Sequence, residues 1–361
     1  MGYFIMKKIA LILGLLPMAA FAESDAGTTL SDTISVVRQQ CSGISAKMEG
    51  IKKMAGIGTA VNAVGTATGI GGVVSGVVKY QTDKETIGLK REKQEIDAAL
   101  QVLRNAQNSD ANVQRIIDVK VLASNYRAVI AAAVAAYASG KKDADGSAIK
   151  IEGDIKSAYE QRSAELGKQI EENQQKSTAA GHARTALFAV DTATNVAGAV
   201  VSSKTVADED LIEQIKKCKE SIELLKTARM RAQIEQGDEA DLQAMNVSQN
   251  ILNKCGEYQY VDVTKLNSLA KGAMVTNSVG AVSGTVATIT SALGNSKKIS
   301  EMDVIGTEDA KKNMQLNMAS NVIGGVTTAA SLTGTALNAS QIVEAKKIVN
   351  VSKECEETLK W

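Results

Sequence analysis

Four groups of residues in this 361-residue chain have types and spacings that could do chemistry. Ser268-Leu-Ala-Lys271 has the S-x-x-K spacing in which a lysine can serve as base to a serine nucleophile in acyl transfer. The K-T-G and S-D-N partners of that machinery are missing from the sequence. Gly198-Ala-Val-Val-Ser-Ser-Lys204-Thr205 nearly fits a phosphate-cradling loop, but Ser203 stands where the second glycine is required and no strand precedes it. His182 is the single histidine, so neither a His-based triad nor a His-rich metal site can be built. The acidic residues sit in Lys-interleaved runs such as Lys84 to Asp97, the pattern of solvated helix faces. We therefore expect no catalytic, cofactor-binding or metal-binding residues and no small-molecule ligand, and read the protein as not an enzyme.

The fourth group is Cys41, Cys218, Cys255 and Cys355. No C-x2-C spacing exists, so disulfides are expected rather than zinc. The chain begins like an exported protein. Lys7 and Lys8 form a basic stretch, Ile9 to Leu16 an apolar one too short to cross a bilayer, and Ala20-Phe21-Ala22 an A-x-A cleavage site. Residues 1–22 are read as a bacterial-type signal peptide, which places the mature protein in the periplasm or outside the cell, where cysteines pair. Removing that peptide takes the net charge from +1 to −1, because it carries two lysines and no acid. A neutral chain has no electrostatic reason to bind nucleic acid, and none is expected as a partner.

The elements that carry these residues read as helices. Pro17 is the only proline, so the mature chain would contain none, and aromatic residues are 3% of the total. From Ile34 an apolar stripe runs at alternating steps of three and four through Val37, Cys41, Ile44, Met48 and Ile51. It continues in phase as Ala55, Gly58, Asn62, Gly65, Gly69, Gly72 and Gly76, the a/d spacing of a helical seam. The same device recurs as Ala273, Asn277, Gly280, Gly284 and Ala287, and as Asn317, Ser320, Gly324, Thr327, Ser331, Gly334 and Asn338. A fourth copy, Asp191, Asn195, Gly198 and Ser202, loses phase near 204–210 and resumes at Leu211. Residues 81–183 read as an inserted set of more ordinary amphipathic helices, with breaks at 108–110 and 139–146. Cys255 to Val263 is expected to be non-helical, as a short extended segment.

Two halves share one plan. Residues 23–235 would pair 31–80 with 184–235 around the insertion, and residues 236–361 would pair 239–297 with 313–359. In each half a cysteine precedes the centre of one small-residue zone by 27 positions (Cys41 before Thr68, Cys255 before Val282) and another follows the centre of its partner zone by 25 (Cys218 after Ala193, Cys355 after Ala330). In an antiparallel helical hairpin, equal counts are equal lengths, so the cysteines meet at one level. This predicts Cys41–Cys218 and Cys255–Cys355, with Asn62 close to Asn195. A symmetric count about Gln236-Gly237 leaves a rival, Cys218–Cys255 with Cys41–Cys355. Pairing in order of emergence favours the first.

Glycine inside a helix costs about 1 kcal/mol against alanine, so the seams need compensation. Close backbone approach supplies it through dispersion and Cα–H···O contacts. Residues 54–78, 272–296 and 313–343 carry no charge and are long enough to span a bilayer. Their Thr, Ser, Asn and Gly content and Asp191 argue instead for soluble packing. Partial alternation in Gly284 to Leu293 hints at strand, but the three-four stripe is longer and more specific. The expected fold is all-α: an elongated, disulfide-tied antiparallel bundle or coiled coil of long helices with glycine-zipper seams. The expected function is that of an exported, non-enzymatic structural or interaction protein of the bacterial cell envelope. It would associate with itself or a protein partner through its helices. The alternative is a membrane-active, pore-forming-like helical protein that inserts its uncharged Gly-rich hairpins.

Overall fold

The structure is a computed structural model describing residues 29–105, 151–236, 241–296 and 308–360. The signal peptide, the breaks at 108–110 and 139–146, the helix expected around 116–137 and most of the 298–312 connection lie outside the described residues. Among the described residues the chain is all-α, with no strand. The helices are α1 (Leu30–Cys41), α2 (Ile44–Asn105), α3 (Ile151–Ser203), α4 (Glu209–Gln236), α5 (Leu242–Cys255), α6 (Val263–Asn295) and α7 (Glu308–Leu359).

Helix starts follow local chemistry. Thr29 and Asp32 form a capping box at α1, Asp32 N–H donating to Thr29 Oγ1 at 3.2 Å and Thr29 N–H to Asp32 Oδ2 at 3.1 Å. Asp208 caps α4, Asp241 caps α5 and Asp262 caps α6, each accepting from backbone N–H groups of the first turn. The stripe beginning at Ile34 does not run through one helix. The chain turns at Ser42 and Gly43, where Gly43 has φ of +79°. Cys41 and Ile44 keep the three-residue step across the turn, so the spacing alone hides the break. The opposite holds further on: α2 and α3 are each continuous where the sequence suggested a seam helix joined to a separate amphipathic one. The phase slip at 204–210 does fall where α3 ends and α4 begins. Gly256–Tyr260 is a 3-10 helix, not an extended segment. It tucks Tyr258 into the interior, where its hydroxyl donates to Ser352 Oγ at 2.7 Å.

The chain forms two compact units that draw on both sequence halves. The first comprises residues up to Thr59, Val200–Ala273 and those from Ala336 onward. Its core is conventional, with Ile44, Met48, Leu211, Ile222, Leu225, Ile251 and Leu266 buried together. Cys41–Cys218 and Cys255–Cys355 are disulfides within this core, the favoured connectivity. Burial raises the Tyr258 phenol above its ordinary pKa. The second unit comprises Ala60–Ala199 and Met274–Thr335. In its 84–100 and 157–177 stretches Ile96, Leu100, Tyr159 and Leu166 are buried, and Arg162 pairs with Glu92 at 2.7 Å.

Candidate functional site

The rest of the second unit is organised differently. Every seam residue predicted there is buried: Asn62, Gly65, Gly69, Gly72, Gly76, Asn195, Gly198, Asn277, Gly280, Gly284, Gly324 and Gly334. Gly58 is buried likewise in the first unit, where a Cβ on it would lie 2.7 Å from Asn338 Nδ2. The glycines are spaces for the polar side chains opposite. A Cβ on Gly198 would lie 2.3 Å from Asn62 Oδ1 and 2.8 Å from Asn277 Nδ2. One on Gly334 would lie 2.4 Å from Asn277 Oδ1 and 2.6 Å from Asn62 Nδ2. These four residues form one layer, with asparagine on α2 and α6 and glycine on α3 and α7. In the next layer the arrangement reverses. Gly65 and Gly280 lie on α2 and α6, while Asn195 and Ser331 lie on α3 and α7 and bond to each other at 2.8 Å. Asn62 was expected beside Asn195; Gly198, one turn along, takes that place.

The interior stays polar beyond these layers. Asp191 is fully buried and accepts from Ser331 Oγ at 2.7 Å and Asn195 Nδ2 at 3.0 Å. Its Oδ2 has no protein partner and faces Gly69, on which a Cβ would lie 2.5 Å away. Neither amide atom of Asn62 is hydrogen-bonded to the protein. Arg184 is fully buried; its Nε donates to Ser291 Oγ at 2.8 Å and its Nη2 to Asn317 Oδ1 at 2.8 Å. Asn317 in turn donates to Asp83 Oδ2 at 3.2 Å, and Lys79 pairs with Asp83 at 2.8 Å. Ser177 donates to the other Asp83 oxygen.

One level is apolar. Phe188, fully buried, fits between α2 and α7 where both carry glycine: a Cβ would lie 2.5 Å from the ring on Gly72 and 2.1 Å from it on Gly324. Neither Phe188 nor Arg184 was singled out from the sequence. The signal was present, since stepping the Asp191–Asn195–Gly198 spacing backwards gives Phe188, Arg184, Gly181 and Ser177, all buried.

The outward surface has the opposite character. Between residues 60 and 78 every exposed residue of α2 is Ala, Val or Ile, and between 183 and 197 every exposed residue of α3 is Ala or Val. On α7 every exposed residue from Leu316 to Leu332 is Ala, Val, Leu or Met. On α6 the exposed residues from Val275 to Leu293 are aliphatic except Ser278 and Thr285. Those two hydroxyls donate to the carbonyls of Met274 and Ala281 on their own helix, at 2.9 and 2.8 Å. Val64 is 52%, Val282 68% and Leu332 59% exposed. At 1.5 Å per residue the belt is about 27 Å tall on α2 and α6, about 24 Å on α7 and about 21 Å on α3.

Two helical stretches, within Leu30–Ala98 and Ser157–Ser203, are long and apolar enough to cross a membrane by length and composition, with 28% of each apolar window buried. α6 and α7 do not meet the same test. It averages both faces of a helix, and their inward faces carry the amides and hydroxyls just described.

The other sequence candidates stay apart from this interior. Ser268 is exposed and donates to the Thr264 carbonyl at 2.9 Å; Lys271 and His182 are exposed. The Gly198–Thr205 run is the end of α3 rather than a loop after a strand. Among the described residues no group of three His, Cys, Asp or Glu is placed to hold a metal ion. No protein-family model, no curated protein and no solved structure matches this chain.

Proposed function

We propose that the protein is an exported, non-enzymatic protein of the bacterial cell envelope, held in a membrane by four helical crossings in its second unit. The helices would pair as two antiparallel hairpins, α2 with α3 and α6 with α7. The contacts Gly65–Thr194 and Gly72–Phe188, and Gly284–Thr327 and Gly294–Asn317, support that pairing, since residue numbers rise on one helix as they fall on the other.

The observation that carries this reading is the reversed polarity of the second unit. Asn, Asp, Arg, Ser and Thr fill its interior while Ala, Val, Ile, Leu and Met face outward. In water this would leave a large apolar surface exposed, far beyond an ordinary surface patch. In a bilayer it is the stable arrangement. The belt height is close to the roughly 30 Å of hydrocarbon, and buried ionisable groups face the interior with partners. Belt hydroxyls such as those of Ser278 and Thr285 return to their own helix. The apolar surface occurs on all four helices, as a lipid environment requires; a second copy would cover one side. The Gly, Ser, Thr and Asn content that spoke for solubility lies mainly on the inward faces.

A parity argument supports the same reading. Cys41 precedes the first crossing, Cys218 and Cys255 lie between the second and third, and Cys355 follows the fourth. Four crossings therefore bring all four cysteines to one side, and both disulfides need the oxidising side. The described stretches 80–105, 151–182 and 308–312 would then lie across the membrane from them.

The test is flotation of the purified mature protein with lipid vesicles, followed by an alkaline carbonate wash. The wild type is expected to float and to resist the wash. A Val64→Lys plus Val282→Lys variant places two cations on the belt, each costing about 2.5–3.5 kcal/mol in a bilayer, and is expected to lose insertion. On a water-exposed surface the same changes would be nearly neutral. Recovery of wild-type protein in the wash would overturn the proposal.

A further inference from the structure

We propose that the interior of the second unit is a path for protons across the membrane, held shut by the ring of Phe188. The inference rests on the membrane-spanning reading above. It starts from the distribution of polar groups along α2, α3, α6 and α7. On one side of Phe188 lie Arg184, Lys79 and Asp83, linked through Ser177 and Asn317. On the other side lie Asp191, Asn195 and Ser331, followed by Asn62 and Asn277. Among the described residues of this unit, Lys79, Asp83, Arg184 and Asp191 are the fully or nearly fully buried charged ones. Of these, Arg184 and Asp191 fall within the apolar belt, and a charged residue at membrane depth marks a functional path more often than a structural ornament.

Asp191 supplies the acceptor that such a path needs. Its Oδ1 is engaged by Ser331 and Asn195, but Oδ2 has no protein partner although the residue is fully buried. The two atoms of the Asn62 amide are likewise without a protein hydrogen bond. A carboxylate oxygen facing inward among amides can take up a proton from one side, becoming a neutral carboxyl, and release it to the other. No other reactant is involved.

Phe188 interrupts this series. It lies three residues from Asp191 and four from Arg184, about 4.5 and 6 Å along the helix axis. Gly72 and Gly324 have no side chain where the ring lies, so the ring fills the space between α2 and α7. An apolar ring held between two glycines, with polar groups on either side along the helices, is the geometry of a barrier.

The experiment uses full-length mature protein in vesicles loaded with a pH-sensitive dye, with a potassium gradient and valinomycin to balance charge. Wild-type vesicles are expected to hold a pH step as well as protein-free ones. Phe188→Ala is expected to dissipate it at least tenfold faster. Phe188→Leu, which keeps an apolar plug, should stay tight. Adding Asp191→Asn to Phe188→Ala should return the rate most of the way to wild type. Should the alanine variant fail to insert, Phe188→Ser takes its place and is read in the same way. An inserted, tight opening variant would overturn the proposal, as would a double variant that leaks like the single one. Each preparation is also washed with carbonate. Loss of wild-type protein at that step refutes membrane insertion, whereas an inserted but tight opening variant refutes only the barrier.

Discussion

Gly324→Ala is a sharp test of the interior packing because it adds one methyl group at a place where nothing can move aside. The new Cβ would lie 2.1 Å from Phe188 Cζ and 2.4 Å from Cε1. The ring cannot retreat toward α2, because a Cβ there, on Gly72, would itself lie 2.5 Å from it; the ring already fills that gap. Overpacking of a filled core costs about 1–3 kcal/mol, and a rigid ring held on two sides belongs near the top of that range. Alanine returns about 1 kcal/mol of helix propensity. The net expectation is a loss of about 2 kcal/mol. Phe188→Leu shortens the obstacle, and alone should cost less than about 1.5 kcal/mol. Combined with Gly324→Ala it should recover most of the loss, a coupling of about 2 kcal/mol in a double-mutant cycle. Equilibrium unfolding in mixed detergent micelles, followed by helical circular dichroism, measures all four proteins. If Gly324→Ala is as stable as wild type or more so, propensity is acting unopposed and Phe188 does not occupy the space between the two glycines.

Further expectations follow from single sites. Non-reducing peptide mapping should give Cys41–Cys218 and Cys255–Cys355, and opening the second pair with Cys255→Ser plus Cys355→Ser should destabilise the first unit by about 4–5 kcal/mol, by loop closure over a separation of 100 residues. Arg184→Lys should cost about 2–3 kcal/mol in the same detergent unfolding assay, because a point ammonium cannot reach Ser291 on α6 and Asn317 on α7 as the guanidinium fork does. The carboxyl of Glu344 is held below its ordinary value of 4.5, chiefly by the hydrogen bond from Lys265 at 2.7 Å. Its contribution is therefore present above that ordinary value and lost as the pH falls through the folded-state value. Glu344→Gln should lower Tm by a constant amount above pH 7 and flatten the acid limb, so that the two proteins converge at low pH.

Much of this architecture is legible in residue spacing. The three-four stripe reports which residues face inward, so it reaches Asn62, Asn195 and Asn277 without any structure. The cysteine counts narrow the disulfides to two connectivities because helix length is proportional to residue number, and order of emergence selects the observed one. Where spacing fails, the cause is specific. Ser42 and Gly43 break the first helix without disturbing the phase, since Cys41 and Ile44 remain three apart. Tyr258 draws the segment after Cys255 into a 3-10 turn through a contact with Ser352, 94 residues away, which no local pattern encodes. Phe188 and Arg184 lie on the seam spacing but differ in type from the small residues that defined it. The outward face was the largest omission. Taking residues 272–296 as a whole mixes Asn277 and Ser291 with Val282 and Ile289, although only the last two are exposed.

The alternation of asparagine and glycine between successive layers also stores information. At the Asn62 level two diagonal helices carry amides and the other two carry glycine; at the Gly65 level those two carry glycine, and the others carry the amide of Asn195 and the hydroxyl of Ser331. The outer faces of all four helices are near-identical aliphatic surfaces, so they cannot tell one axial position from the next. Sliding α2 along α3 by a single layer would set Asn62 against Asn195 at one level and glycine against glycine at the adjacent one. The pattern works like the wards of a lock, admitting one vertical alignment. It also implies that sequence drift in this interior should proceed by exchange: an asparagine lost from one helix can be tolerated when a neighbour at the same level grows to meet it.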